Sequence, residues 1–236
     1  MNEVFLGRIF AYSVLPLLLA AAHIILDRQA RTPARRIELI MLYLFAISLG
    51  ASGLGGAFGH LFLSDQIAAS IGWTAGSPFQ LEMGFANLAI GVLGIAAISQ
   101  RDGFRTAAIL ATTIIGFGAT YVHLQDIVAH GNLAPGNTIQ NISNLLDPLL
   151  LIVLTWLSRR MADPDAESPA FLNWQFRQQP IVTWAAIGVG TGFGVGFFTG
   201  AVFLWTIVIT LAAIGIGIIF SRRLAQGQES HIAEQQ

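Results

Sequence analysis

The chain has 236 residues, 54% of them hydrophobic and only 11% charged, with no cysteine and a formal net charge of −1. A soluble domain carries about 25% charged residues, so too few remain here to coat a water-exposed surface, and an ordinary soluble globule is excluded. The absence of cysteine removes disulfides, thiolate metal ligands, iron–sulfur clusters and cysteine nucleophiles; all twelve basic residues are arginine, which removes Schiff-base chemistry, and nothing in the charge balance suits nucleic acid.

A membrane crossing needs about 20 apolar residues. Seven segments qualify, at 4–26, 37–62, 79–99, 105–128, 138–158, 181–198 and 200–220, which predicts an all-α polytopic transmembrane helical bundle, a single membrane domain over 1–236. The last two form one continuous apolar run, and arginines at both its ends require a hairpin that turns near Phe198–Gly200. Eleven of the twelve arginines then fall on one side, which the positive-inside rule makes cytoplasmic, with the N-terminus outside and the C-terminus inside. The exception, Arg8, sits near an end of span one and is read as snorkelling. The first apolar stretch lacks a basic leader and a small-residue cleavage site and is read as a retained span. The expected location is the inner membrane of a bacterium, crossed several times, with the lipid bilayer as the main partner.

Span one carries His23 near its cytoplasmic end, read as structural, and Glu38 at the start of span two is expected to pair with Arg35 or Arg36. Span two then climbs through Ser52, Gly55, Gly56 and Gly59 to His60; small residues at this spacing let helices approach closely. Asp65 lies in the loop that follows, and Trp73 there suits an interfacial belt. Ser77-Pro78-Phe79-Gln80 reads as a capping box that starts span three, with Ser77 as N-cap and Gln80 reaching back to it. Glu82 and Asn87 follow on the descending helix.

Span four repeats the plan. It climbs through Gly116 and Gly118 to His123, with Asp126 and His130 on the same face at i, i+3 and i+7. A Pro135-Gly136 turn leads to Asn137 as cap and Gln140 as the closing residue of a second box, and span five descends with Asn141, Asn144 and Asp147 on one face. Pro148 frees the carbonyl of Asn144. His-to-acid spacings are 22 residues in the first hairpin and 24 in the second, so the two read as a parallel repeat that brings two imidazoles and two carboxylates together from four helices.

Ionisable side chains inside spans are costly and are functional candidates by default. At 1.5 Å per residue, His60, Glu82 and His123 lie roughly 27–36 Å from the cytoplasmic edge and Asp147 about 18 Å from it. Histidine and carboxylate without thiolate suit iron, zinc, manganese or copper, so His60, Glu82, His123 and Asp147 form the expected metal set, with Asp126, His130, Asn141, Asn144, Asn87 and Asp65 as supporting polar groups. Haem or chlorophyll ligation by His60 and His123 is chemically open and less attractive beside acids. On this reading the protein is an outward-facing metal-binding protein or membrane oxidoreductase. A non-catalytic subunit of a larger complex is one alternative, docking other membrane subunits through the glycine-rich spans six and seven, of which Gly188, Gly192 and Gly196 in span six are spaced for close helix approach. A transporter or channel for a proton, ion or small polar solute is the other. No nucleophile constellation is evident, so turnover is left open.

The stretch 159–180 is expected to be a cytoplasmic loop with acids at Asp163, Asp165 and Glu167 and a short interfacial helix at Phe171, Trp174 and Phe176, and 224–236 a flexible tail.

Gly59-His60-Leu61-Phe62, Gly76-Ser77-Pro78-Phe79-Gln80, Glu82 and Ala86-Asn87-Leu88 resemble an uncharacterised bacterial family of polytopic membrane proteins, known as a domain of unknown function. The later His123 and the stretch from Asn132 to Asn137 are similar to its second block. The resemblance covers about residues 40–158 and implies a multi-pass membrane protein without naming a reaction.

Overall fold

A computed structural model describes residues 2–160 and 168–233. Among the described residues seven helices are long and apolar enough to cross a membrane. They are α1 (Glu3–Leu26), α2 (Pro33–Phe62), α4 (Phe79–Ala96), α5 (Gly103–His130), α6 (Pro135–Arg160), α7 (Pro169–Thr199) and α8, whose span is Val202–Gly227; the short α3 (Ser64–Ile71) links α2 to α4. The described residues contain no strand. Lipid-type packing shows in the distribution of apolar surface: Phe62, Phe85, Ile114, Val128 and Leu204 are exposed, as expected where the outer solvent is hydrocarbon.

At the centre stands α2, with Leu39, Leu42, Leu44, Phe45, Ala46 and Ile47 fully buried. Its turns from Leu44 to Ala51 are π-helical, as is Phe10–Val14 of α1. A π turn leaves backbone carbonyls poorly matched, and here Ser48 Oγ donates to the Tyr12 carbonyl at 2.5 Å, locking the two irregular segments together. The descending α4 lies tightly on α2: a Cβ at Gly94 would stand 2.5 Å from the Gly50 amide nitrogen, and one at Gly91 2.8 Å from that of Leu54.

The second hairpin, α5 and α6, is equally close. A Cβ at Gly116 would stand 2.5 Å from the Asn144 carbonyl oxygen, which Pro148 deprives of its helical donor. The expected release of that carbonyl therefore serves packing.

The glycines at 188, 192 and 196 are occupied within the chain. Added Cβ atoms there would meet Thr210, Trp205 and Val202 of α8 at 2.5–2.7 Å, so the stripe closes the α7–α8 hairpin and is not a vacant docking face. Between these two helices Gly200 turns the chain with φ +77°.

Two expectations at the arginine-bearing end are corrected. Glu38 does not pair with Arg35 or Arg36; Arg105 Nη1 and Nη2 each donate to a Glu38 oxygen at 2.9 Å, both side chains being buried. The interfacial helix is instead the first turns of α7, capped by Ser168 Oγ and running through Pro180, with Phe171 and Trp174 buried. Asp163, Asp165 and Glu167 lie outside the described residues, and the expected flexible tail is helical from Leu224 to Ala233.

Candidate polar site at the histidine-bearing end

The two outer histidines are held alike. His60 Nδ1 donates to Gln80 Oε1 at 2.7 Å, and His123 Nδ1 donates to Asn137 Oδ1 at 2.7 Å. Both carboxamides are fully buried, at 1% and 0% exposure, so neither can trade its partner for water. A carbonyl oxygen facing Nδ1 fixes the tautomer and leaves Nε2 as the lone-pair nitrogen. Neither Nε2 has a protein partner among the described residues.

This pairing corrects the capping reading. Ser77 does accept from the Phe79 amide at 3.3 Å, but Gln80 turns away from the cap and reaches α2. Asn137 lies one turn inside α6, where its Nδ2 donates to the Asn132 carbonyl at 2.8 Å while Oδ1 holds His123. Gln140 donates to Asn144 Oδ1 at 3.2 Å and closes no box. The expected repeat of the two hairpins is visible as matched imidazole–carboxamide pairs, where the sequence suggested imidazole–carboxylate pairs.

A loop clamps the hairpins together. The Trp73 indole stacks on His123 with ring centroids 5.4 Å apart, meets Phe79 edge-on at 5.6 Å, and donates from Nε1 to Asp126 Oδ2 at 2.8 Å. Asn132 Nδ2 donates to the same oxygen at 2.6 Å and to the Ile71 carbonyl at 2.9 Å. His130 Nδ1 bonds to Asp126 Oδ1 at 2.8 Å, with the imidazole largely in the open. Gly72 supplies the left-handed turn (φ +81°) that brings Trp73 over α5, and the Asn132 carboxamide fills the place a Cβ would need. Trp73, Thr74, Ser77, Phe79, Gln80 and Val122 line an open hollow of about 380 Å³; neither histidine lines it, but Gln80 bonds to His60 and Trp73 stacks on His123.

The acids stand elsewhere. Glu82 is exposed in the first turn of α4, a position that suits a carboxylate at a helix N-terminus. Asp65 is exposed and accepts from the Gly76 amide at 3.3 Å. Asp147 is buried deeper and belongs with α1: Ser13 Oγ donates to its Oδ2 at 3.1 Å and lies 3.1 Å from Ser143 Oγ. Asn87 donates to the Met83 carbonyl and packs on Gly56, and Asn141 Nδ2 donates to the Asn137 carbonyl at 3.0 Å. Among the described residues no group of three or more His, Asp or Glu side chains converges in a way that could hold a metal ion.

Several polar atoms in this half lack partners. Asp147 Oδ1, Asn141 Oδ1 and Thr120 Oγ1 are buried without a hydrogen bond. Arg8, half-buried in α1, makes no hydrogen bond or ion pair among the described residues, yet lies within Coulombic range of Asp147, Tyr12 and His60.

Residues 8–164 match a family of unknown function, DUF6790. The chain belongs to that family. The match begins at Arg8, so the DUF6790 region includes span one as well as both hairpins and ends before α7. No curated protein and no solved structure matches the chain.

Proposed function

We propose that this DUF6790 protein is a multi-pass membrane receptor site for a small polar ligand, entered from the histidine-bearing face, with binding rather than turnover as its chemistry. The observation that carries this reading is the pair of buried carboxamides that fix both imidazoles and leave each Nε2 unpartnered, with Gln80 and the Trp73 that stacks on His123 also lining an open hollow. These bonds satisfy the buried carboxamide oxygens and orient each imidazole, so that Nε2 is held ready as an acceptor. The arginine count favours an arrangement in which this face lies outside the cell and the opposite face in the cytoplasm of a bacterial inner membrane.

A transition metal would find two imidazole nitrogens here, but Glu82 is exposed and Asp147 is engaged by Ser13, so the donor set does not fit the expected four-ligand centre. The hydrogen-bonded Nδ1 is nevertheless the orientation that metal-bound imidazoles adopt, and the test includes that case.

Purified full-length protein in nanodiscs is titrated with a panel of amino acids, small carboxylates, polyols and the ions of zinc, manganese, iron and copper, reading thermal unfolding and elemental content. Saturable stabilisation by at least one member, lost in both H60A and H123A, is expected. A panel that leaves the midpoint unchanged, or stabilisation that survives both substitutions, overturns the reading. The natural chain has no cysteine, so T74C labelled by a membrane-impermeant maleimide in intact cells reports the orientation directly.

A further inference from the structure

The loop from α1 to α2 and the first turn of α2 hold Arg28, Arg31, Arg35 and Arg36. Arg35 Nη1 donates to the Gln29 carbonyl at 3.0 Å, Arg36 Nε to the Ala30 carbonyl at 3.2 Å, and Arg177 Nη2 of α7 to Gln29 Oε1 at 3.3 Å. Guanidinium groups from two helices therefore meet at two consecutive residues of one loop. Ser221 Oγ donates to the Arg177 carbonyl at 2.7 Å, which brings the end of α8, with Arg222 and Arg223, beside Arg177.

Every acceptor in the three guanidinium bonds is a neutral carbonyl. Asp27, the acid of this loop, is engaged by the fold: its Oδ1 accepts from the Gln29 amide at 2.9 Å and its Oδ2 from Trp174 Nε1 at 2.6 Å. Among the described residues none of these arginines pairs with a carboxylate, whereas Arg105 at the same end has Glu38. Arg35 Nε is buried with no hydrogen-bond partner, and the Trp174 ring backs its guanidinium at 5.2 Å. Position supplies the second constraint. Val14, Leu18, Ala22 and Ile25 form an exposed apolar stripe on one face of α1 that runs down to Arg28, with Leu26 exposed beside its end. A molecule that lies along the stripe and reaches the arginines is apolar over its length and anionic at its head.

We propose that this surface binds an anionic phospholipid of the surrounding bilayer, with the phosphate among Arg35, Arg36 and Arg177 and an acyl chain along the α1 stripe. Guanidinium forks match phosphate oxygens, and arginine clusters at the end of a span attract anionic headgroups. A zwitterionic lipid brings its own cation and leaves the excess positive charge unanswered. The surface lies at the opposite end of the bundle from the hollow beside Gln80 and does not depend on the ligand reading given for that end.

Full-length protein in detergent is titrated separately with phosphatidylglycerol, phosphatidylcholine and glycerol phosphate, and bound molecules are counted by native mass spectrometry. Phosphatidylglycerol is expected to bind at least tenfold tighter than phosphatidylcholine, and at least tenfold weaker in R35Q/R177Q than in the wild type. R159Q/R160Q removes the same charge from the α5–α6 side of the same end, where Arg159 bonds to Thr106 and Arg160 lies over Trp156, and is expected to keep wild-type affinity. Equal binding of the two lipids, equal losses in the two double variants, or unchanged affinity in R35Q/R177Q overturns the proposal. Glycerol phosphate binding as tightly as the intact lipid also overturns it, since the occupant is then a soluble phosphate. Should R35Q/R177Q fail to give a monodisperse protein, R36Q/R177Q replaces it, with the same expected loss and the same overturning results.

Discussion

The two ends of the bundle treat buried charge differently. At the arginine-bearing end the Glu38–Arg105 pair and His23 are fully engaged, the exceptions being Arg35 Nε and Thr155 Oγ1, which are buried without a hydrogen bond. Glu38 takes Arg105 in a forked pair and also accepts from Gln175 at 2.5 Å, while Arg105 Nε donates to the Ala97 and Gln100 carbonyls. His23 there uses both ring nitrogens, bonding to Tyr43 at 3.2 Å and Gln178 at 3.0 Å, and Trp174 donates to Asp27 at 2.6 Å. At the histidine-bearing end each imidazole is bonded on one side only, Arg8 makes no hydrogen bond among the described residues, and the Thr120 hydroxyl, the Asn141 carboxamide oxygen and one oxygen of Asp147 are left without partners. A closed network ties helices together; an open one of the same residue types is what the proposed ligand reading rests on.

The largest expected effect breaks the closed end. Removing one member of a buried ion pair leaves the other unpaired, so R105M is expected to destabilise by roughly 3–5 kcal/mol, seen as a fall in the thermal midpoint in detergent, with much of the loss recovered in E38L/R105M. A smaller loss, of about 1–3 kcal/mol, is expected for G94A, whose added methyl must displace the α2 backbone at Gly50. Q80L should cost a similar amount, about 1–3 kcal/mol, by orphaning His60 Nδ1, but should also abolish ligand stabilisation, which G94A should leave in place. That difference sharpens the comparison, since matched stability losses would then have unequal effects on binding. Gly118 faces open space, so G118A is expected to stabilise by roughly 0.5–1 kcal/mol. H130A, which removes only an exposed partner of Asp126, should leave the midpoint unchanged.

The spans were legible because a crossing helix must be apolar over its whole length, and seven such runs are present. The histidines were legible for the complementary reason that such groups are expensive within a span. Their partners were not. Gln80 and Asn137 occupy sequence positions where a helix start uses the same residue types, and spacing along one chain segment carries no information on whether a carboxamide bends back or reaches a neighbouring helix. The pairing of Glu38 with Arg105 bridges 67 residues and that of Ser13 with Asp147 bridges 134, so both depend on helix registers that hydropathy does not encode. The π turns in α1 and α2 were equally invisible, since their residues are ordinary helix formers in lipid.

Those π turns have a consequence for where α1 aims its polar edge. A π segment accommodates one more residue than regular winding would, and each residue of an α-helix rotates its successors by about 100°. Deleting a single residue between Phe10 and Val14 would therefore let α1 wind regularly with the residues before it still on their present face, whereas the same deletion elsewhere in α1 would turn them by about 100°. The surplus residue acts as slack in the winding, and the Ser48 hydroxyl occupies the carbonyl that this slack releases at Tyr12.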